Sequence, residues 1–224
     1  MNYGLVIAAG KSSGFGSNVD RAFLSLGPKP ILAYSLLAFE ACENIDGVVL
    51  VVRKERVEAA RSLAQIFGCA KVIKVVAGGV LRQTSIQNGL DAMPDDVKLV
   101  TVHESSRPGV TSELISETLS IAKRNGAAAV GLKIKDTVVS SERGTTVTKS
   151  SDAAKLWTLQ SPQSFKVDIL KRAIDKVDSK KDITDEASAV EKLGEKIRIV
   201  PGSRYNIKVI EPDDVPLAAT LLKL

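Results

Sequence analysis

Short apolar runs alternate along the chain with segments in which apolar residues recur every three or four positions. The first run, Gly4–Ala9, precedes a helical pattern over Ile31–Glu43, and Val48–Val52 precedes a second one over Glu55–Phe67. Continuous apolar runs of this length are typical of strands buried on both faces, whereas the three- or four-residue spacing is typical of helices. The alternation therefore predicts a mostly parallel α/β sheet with helices on both faces and right-handed crossovers.

The same alternation predicts most of the remaining elements. Further strands are expected at Lys71–Val76, Leu99–His103 and Ala127–Ile134, with helices at Leu81–Met93 and Thr111–Arg124. Later in the chain it predicts an element at Val167–Val177, a helix at Thr184–Leu193, strands at Ile197–Val200 and Ile207–Ile210, and a helix after Pro212.

The alternation is interrupted between Lys135 and Ser164. Val138, Val139 and Val147 lie on either side of a turn-like Ser140–Gly144 segment, so residues 135–164 are expected to form an inserted β-hairpin arm. An isolated two-stranded ribbon is marginal in water, which makes a second subunit a natural packing partner. A chain of 224 residues without a linker or repeat otherwise predicts a single domain over residues 1–224.

Composition and charge narrow the function classes. The chain is 44% apolar but only 4% aromatic, as expected for a core of Val, Ile, Leu and Ala. Its net charge of +5 comes from Lys and Arg residues interleaved with acids, which favours anionic small molecules over nucleic acid. Cys42 and Cys69 lack metal-like spacing and are expected to be buried free thiols. Without a long apolar segment or a cationic leader, the expected location is the cytoplasm, away from the membrane.

Glycine-rich and polar segments follow three of the predicted strands. The first strand leads into Gly10–Gly16, the third into Gly78–Gly79 with Arg82 and Ser85 one turn later, and the fourth into His103–Pro108. The carboxyl ends of parallel strands share one edge of a sheet, so these segments should converge there. Glycines, arginines, a carboxylate and a helix N-terminus at one edge suit a polyphosphate with a divalent cation.

The Gly10–Gly16 loop by itself leaves two interpretations open. It lacks the Gly-Lys-Ser/Thr ending of a P-loop and the G-x-G-x-x-G spacing of dinucleotide-binding proteins, so it is either a phosphate-binding loop or an ordinary flexible connection. His103, the only histidine, is interpreted as a structural residue rather than a catalyst.

Short motifs spread over essentially the whole chain resemble those of the 2-C-methyl-D-erythritol 4-phosphate cytidylyltransferase family. The matching segments are Ala8-Ala9-Gly10, Gly78 to Ser85, His103 to Pro108, Lys135-Asp136-Thr137, Ser161-Pro162-Gln163, Thr184 to Ser188, and Asn206 to Val209. The resemblance implies a homodimer with a Rossmann-like nucleotidyltransferase fold. It also implies that CTP and a sugar-alcohol phosphate are joined into a CDP-alcohol, with loss of pyrophosphate and with Mg²⁺ as cofactor.

The resemblance also implies roles for individual positions. Those expected to bind the nucleotide are Ala8, Ala9, Gly10, Lys11, Gly79, Arg82, Ser85 and Glu104, with Glu104 also near the metal. Those expected to bind the acceptor, partly across the dimer, are Arg107, Thr137, Ser161 and Thr184. The positions that correspond to catalytic residues are Gly14, Arg21, Ala153 and Lys208, of which Lys208 would also contribute to the acceptor pocket.

Several of these positions depart from the family pattern. Gly14 stands where the family has its loop arginine, and the P-K-Q segment reads Asp20-Arg21-Ala22, so that Arg21 replaces its lysine. Glu104 replaces an aspartate, and Ala153 replaces the arm arginine, with Lys155 nearby. Losing a donor aimed at developing charge typically costs about 10² to 10³ in rate. Three hypotheses therefore stand: a methylerythritol-phosphate cytidylyltransferase, a catalytically impaired paralogue that binds a nucleotide or partner, and a cytidylyltransferase for another acceptor such as ribitol 5-phosphate.

Overall fold

Strands and helices alternate through a computed structural model that describes residues 1–10, 13–16, 19–178 and 181–224. The strands are β1 Asn2–Ala8, β2 Ser25–Leu26, β3 Lys29–Pro30, β4 Gly47–Val52, β5 Val72–Ala77, β6 Leu99–Glu104, β7 Ala127–Lys133, β8 Val138–Ser140, β9 Lys149–Ser151, β10 Trp157–Lys166 and β11 Arg198–Pro201. The helices are α1 Ile31–Ala41, α2 Val57–Ile66, α3 Arg82–Asp91, α4 Ser112–Asn125, α5 Val167–Asp175, α6 Glu186–Glu191 and α7 Asp214–Leu222.

Within the described residues, the central sheet has seven strands in the order β11-β7-β10-β6-β1-β4-β5. The pairs β6–β1, β1–β4, β4–β5 and β7–β11 are parallel, whereas β10 runs antiparallel to both of its neighbours. The expected mostly parallel α/β sheet is therefore confirmed. The carboxyl ends of β1, β4, β5 and β6 share one edge.

Helices cover both faces of this sheet because successive strand residues point in opposite directions. Leu5 and Ile7 of β1 pack with apolar residues of α3, α5 and α6, while Val6 and Ala8 pack with those of α1, α2 and α4. A smaller apolar cluster joins α7 to β2 and the start of α1. Both cysteines are free and buried, as expected.

Two of the elements expected outside the arm differ in the structure. The expected strand Ile207–Ile210 is wrong. This segment has no strand pairing, and one backbone hydrogen bond joins it to the turn after β6, from the Val209 N–H to the Ser106 carbonyl (2.8 Å). The helix expected from Thr184 begins only at Glu186, because Asp185 is its N-cap and accepts a hydrogen bond from the Ser188 N–H (2.7 Å).

The interruption after β7 contains a short ribbon followed by a full sheet strand. Val138–Ser140 pairs antiparallel with Lys149–Ser151, and residues 157–166 then return to the central sheet between β6 and β7. The ribbon therefore contains fewer residues than the arm expected at 135–164. The side chains of Val139, Val147 and Trp157, on or beside the ribbon, are exposed. In the part of the chain described here, no helix is both long enough and apolar enough to span a membrane.

Candidate active site

A small cavity of about 140 Å³ lies at the carboxyl edge of the central sheet. Its walls are formed by Ile7, Ala8, Gly10, Asp20, Arg21, Ala22, Arg82, Glu104, Ser105, Ser106 and Lys208. A larger groove of about 680 Å³ runs along the outer edge of β5, but its lining lacks a convergent set of charged groups. We therefore place the candidate site in the smaller cavity, where acidic and basic side chains meet.

Glu104 at the end of β6 is the centre of this charge cluster. Its Oε1 atom accepts hydrogen bonds from Arg82 Nη1 (2.7 Å) and Lys208 Nζ (2.9 Å), and Oε2 lies 3.4 Å from Arg107 Nε. Burial alone would raise the pKa of Glu104, but the charges of Arg82 and Lys208 outweigh it and hold the pKa well below its ordinary value. Glu104 is therefore ionised at neutral pH and holds three cations together.

Arg82, the first residue of α3, is held by a second carboxylate. Its Nε and Nη2 atoms donate to the two oxygens of Glu186 (2.8 and 3.0 Å), and its backbone N–H donates to Asp182 Oδ1 (2.7 Å). Burial opposes the charge of Arg82, yet Glu186 and Glu104 raise its pKa above the ordinary value. The fork-to-fork geometry fixes the guanidinium plane, so Arg82 presents a fixed positive charge to the cavity.

His103 lies behind Glu104 in a closed chain of hydrogen bonds. The Glu104 N–H donates to Ser161 Oγ (3.0 Å). The Arg107 carbonyl can only accept, so His103 Nε2 donates to it (3.2 Å), and Nδ1 of the neutral ring accepts from the Ser161 hydroxyl (3.0 Å). Burial lowers the pKa of His103 to about 3, so the imidazole is neutral and positions the end of β6, in agreement with its interpretation as a structural residue.

The turn after β5 packs directly against the end of β1. A Cβ at Gly78 would collide with Ala9 Cβ and would lie 2.9 Å from Ser85 Oγ. The Ser85 hydroxyl accepts from the Gly79 N–H (3.0 Å) and donates to the Leu81 carbonyl (3.3 Å). The absence of a side chain at Gly78 thus permits this close approach, and Ser85 lies beneath the turn that it stabilises.

Arg21 lines the cavity from the segment between β1 and β2, beside a buried carboxylate. Asp20 caps the 3₁₀ turn Arg21–Phe23 by accepting from the Ala22 N–H (3.2 Å). Burial lowers the pKa of Arg21, although Glu104 and Asp20 act in the opposite direction. The Arg53 guanidinium lies 4.0 Å from Asp20 and donates from Nη2 to the Gly10 carbonyl (3.3 Å).

The structure brings some of the expected site residues together and places others elsewhere. Those lining the cavity are Ala8, Gly10, Arg21, Arg82, Glu104 and Lys208. Those adjoining the cavity lining are Ala9, Gly79, Ser85, Arg107 and Ser161. Thr137 and Thr184 are exposed, and Ala153 starts a 3₁₀ turn in the arm. Gly14 packs on Ile210 and Glu211, and Lys11 lies outside the described residues.

The described residues are better suited to a divalent cation bound together with a polyphosphate than to a metal site made of protein ligands alone. No three His, Cys, Asp or Glu side chains in the described ranges converge as a metal site. Glu104 is the one carboxylate at the centre of the cavity cluster, and both of its oxygens already face cations. Since Mg²⁺ commonly takes one or two carboxylates with substrate phosphates and water, Glu104 can serve as a single protein ligand.

A sequence model of the 2-C-methyl-D-erythritol 4-phosphate cytidylyltransferase family matches residues 3–224. The chain belongs to this family. The cytidylyltransferase of Alkaliphilus oremlandii is 33% identical over 221 residues, which cover 98% of this chain and 94% of that protein. The one from Clostridium botulinum strain Langeland is 34% identical over 220 residues, covering 98% and 96%. The family resemblance inferred from the motifs is thus confirmed.

Solved structures of the cytidylyltransferase family share the fold. The 4-diphosphocytidyl-2C-methyl-D-erythritol synthase of Anaerococcus prevotii superposes with a TM-score of 0.86 at 25% identity, covering 100% of this chain and 98% of the other. The 2-C-methyl-D-erythritol 4-phosphate cytidylyltransferase of Thermus thermophilus gives 0.80 at 27% identity, with 98% of each chain covered. The nucleotidyltransferase fold class is therefore confirmed.

The motifs of the cytidylyltransferase family did not reveal every charged residue at the site. Glu186 lies inside the Thr184–Ser188 motif, but nothing in the sequence paired it with Arg82, which is 104 positions away. Asp20 was recognised only as a departure from the pattern. Arg53 could have been found, because it directly follows β4 and strand ends of a parallel sheet share an edge.

Proposed function

We propose that this protein transfers the cytidylyl group of CTP to 2-C-methyl-D-erythritol 4-phosphate, giving CDP-methylerythritol and pyrophosphate for isoprenoid precursor synthesis. The observation that carries this proposal is the gathering of Arg82, Arg107 and Lys208 around Glu104 at the sheet edge, in a chain that matches the cytidylyltransferase family over nearly its whole length.

The reaction demands cations and alignment more than acid–base chemistry. An oxygen of the acceptor phosphate forms a bond to the α-phosphorus of CTP, and the bond from that phosphorus to the bridging oxygen of the β-phosphate breaks. Pyrophosphate leaves with the electron pair, and a dianionic acceptor has no proton to lose. The protein must therefore hold two anions close together and neutralise them. A neutral, buried His103 is compatible with this chemistry.

The cavity residues supply that neutralisation. Arg82 and Lys208 present fixed positive charge on the β6 side, and Arg21 does so from the loop after β1. We assign the Gly10 backbone and the Gly79 turn above Ser85 to the nucleotide. Gly10 is exposed and has no side chain to block a phosphate oxygen, whereas the Gly79 N–H is held by Ser85 and shapes the turn. Mg²⁺, when bound with CTP, would screen the phosphate charges, and Glu104 would hold it.

We assign the acceptor to the side of Arg107 and α6. Thr184 is exposed immediately before the Asp185 N-cap of α6, and Arg107 donates to the Asn206 carbonyl beside Lys208 (3.0 Å). In this proposal Ser161 does not contact the acceptor but positions Glu104 by accepting a hydrogen bond from its backbone N–H. Thr137 and position 153 contribute to the acceptor pocket from the arm.

We also propose a homodimer formed through the arm, and one domain spanning residues 1–224. Val139, Val147 and Trp157 are exposed apolar side chains on or beside the ribbon, which a second copy would cover. Sedimentation should give twice the mass of the chain, and Trp157→Lys should shift the population to monomer. A monomeric wild-type protein would contradict the dimer. Biphasic unfolding would contradict the single domain.

The decisive experiment measures pyrophosphate release with CTP, Mg²⁺ and each acceptor separately. Turnover with 2-C-methyl-D-erythritol 4-phosphate and none with ribitol 5-phosphate is expected. Turnover with ribitol 5-phosphate and none with 2-C-methyl-D-erythritol 4-phosphate would identify ribitol 5-phosphate as the acceptor instead. CTP binding measured by calorimetry, without turnover on either acceptor, would favour an impaired paralogue. That second candidate is favoured by one observation: a Cβ at Gly14 would lie 2.6 Å from the Ile210 carbonyl, so this loop has no room for the arginine of the family pattern.

A further inference from the structure

A buried carboxylate with two arginines beside it borders the cavity near the end of β4. Asp20 stands where the family pattern has proline, and its side chain is only 3% exposed. Its Oδ2 atom makes no hydrogen bond among the described residues, but lies 3.5 Å from Arg56 Nε and 4.0 Å from Arg53 Nε. A buried carboxylate needs such charges nearby, so Asp20 constrains where these arginines lie.

Arg53 is the member of this cluster that faces the first loop. It is the first residue after β4, which lies beside β1 in the sheet, and its Nη2 atom donates to the Gly10 carbonyl at 3.3 Å. Both this contact and the one to Asp20 are long. Since a guanidinium carries five N–H donors, Arg53 can turn donors toward an anion in the cavity without losing its anchor.

The local charge favours such an anion. Arg53 and Arg56 share the single buried carboxylate of Asp20, which leaves one positive charge in excess beside it. The neighbouring Arg21 adds a further cation, on which Glu104 and Asp214 act as well as Asp20. Arg53 is close enough to Arg21 that its positive charge acts to lower the pKa of Arg21, in addition to the effect of burial. Cations brought together in this way are stabilised when an anion binds between them.

The sheet order indicates which part of a nucleotide would lie there. An in-line displacement places the leaving group opposite the attacking oxygen. Lys208 and Arg107 surround Glu104 at the end of β6, while Arg53 follows β4, and β1 lies between these strands. An acceptor on the β6 side therefore directs the departing pyrophosphate toward the β4 side.

We propose that Arg53, positioned by Asp20, binds the pyrophosphate half of the nucleoside triphosphate and supplies a positive charge that compensates for the loop arginine of the family, which Gly14 replaces. Asp20 is a positioning residue in this scheme. The inference rests on the proposed function, because it assumes that a nucleoside triphosphate occupies the cavity.

Calorimetric binding of CTP, pyrophosphate and CMP, each with Mg²⁺, tests the assignment without turnover. Losing a hydrogen bond to a charged group costs about 1.5–3 kcal/mol, so Arg53→Gln should weaken CTP and pyrophosphate about 10- to 100-fold. CMP, which lacks the pyrophosphate half, should bind as before. Arg53→Lys keeps the charge and should retain part of the affinity. Arg61→Gln is the matched control, because Arg61 is an exposed arginine paired with Glu58 on α2.

Coupling between Asp20 and Arg53 tests the positioning role. Asp20→Asn should weaken pyrophosphate binding in the wild-type background but have little further effect when Arg53→Gln is already present. Equal losses for CMP and pyrophosphate in Arg53→Gln would overturn the assignment, since they would indicate a general distortion of the loop. Unchanged pyrophosphate binding would overturn it as well. If the wild-type protein fails to bind CTP at all, the proposed function itself is wrong.

Discussion

The buried imidazole of His103 should make the folding stability of this protein fall in mild acid. His103 is the only histidine in the sequence and is completely buried. Burial lowers its pKa from 6.5 to about 3, so the folded state takes up almost no proton there above pH 4. The unfolded state binds a proton near pH 6.5, and stability therefore decreases as the pH falls below that value.

The size of this effect follows from the two pKa values. At pH 5 an unfolded histidine is almost fully protonated, whereas His103 in the folded protein remains neutral. The linkage relation then gives a loss of about 2 kcal/mol between pH 7.5 and pH 5. Unperturbed carboxylates titrate near pH 4 to 4.5, so their contribution falls mainly below this interval. A loss of this size is a substantial part of the stability of a typical domain.

Urea unfolding of the wild-type protein and of His103→Gln, at pH 7.5 and pH 5, measures this contribution. Glutamine has similar size and can still hydrogen-bond, so its variant should lose about 2 kcal/mol less over the interval. Should His103→Gln fail to fold, the single imidazole signal in an NMR titration of the wild-type protein gives the same answer. A titration midpoint near pH 6.5, or an equal loss in both proteins, would refute the reasoning.

Three further predictions concern the cavity and the first loop. Glu104→Gln should lower the free energy of unfolding by about 3 kcal/mol in urea, because three cations lose their shared carboxylate; an unchanged midpoint would contradict this. Arg21→Gln should lower kcat/KM with CTP by about 10²-fold or more while Arg61→Gln leaves it unchanged, and equal activity would remove Arg21 from the site. Gly14→Arg should lower the thermal midpoint, since its Cβ would meet the Ile210 carbonyl at 2.6 Å, and a rise would show that the loop can open.

The sequence predicted strands well where the sheet is apolar and failed where a buried strand is polar. β1 and β4 are continuous apolar runs, and their expected and observed bounds differ by at most two residues. Residues 157–164 of β10 were assigned to the arm, because Ser161, Gln163 and Ser164 gave no apolar pattern. These side chains are buried through tertiary hydrogen bonds, such as Ser164 Oγ to Thr101 Oγ1 (2.9 Å). Such partners are distant in sequence, so the local spacing of apolar residues does not predict them.

The same limit applies to the site. That Gly10, Arg82 and Glu104 would lie at one edge followed from the strand-end rule, and the structure places all three around the cavity. The bidentate partner of Arg82 did not follow, because Glu186 belongs to a different helix and only the fold brings the two together. Charge pairs of this kind depend on distance in space, and a motif records only order along the chain.

The departures from the family pattern fall in three parts of the fold. Gly14, Asp20 and Arg21 lie between β1 and β2, Glu104 ends β6, and Ala153 lies in the arm. At Gly14 the loop is pressed onto the Ile210 backbone, while Asp20 replaces a proline and lies between Arg53 and Arg56. These changes remove one cation and bring two others close to a single buried carboxylate. If they act as one unit, restoring the family residue at position 14 alone should not improve activity, and Arg53→Gln should cost more than Arg56→Gln. If arginine at position 14 raised the activity equally with and without Arg53, the two positions would be independent, and the loop would merely have lost its arginine.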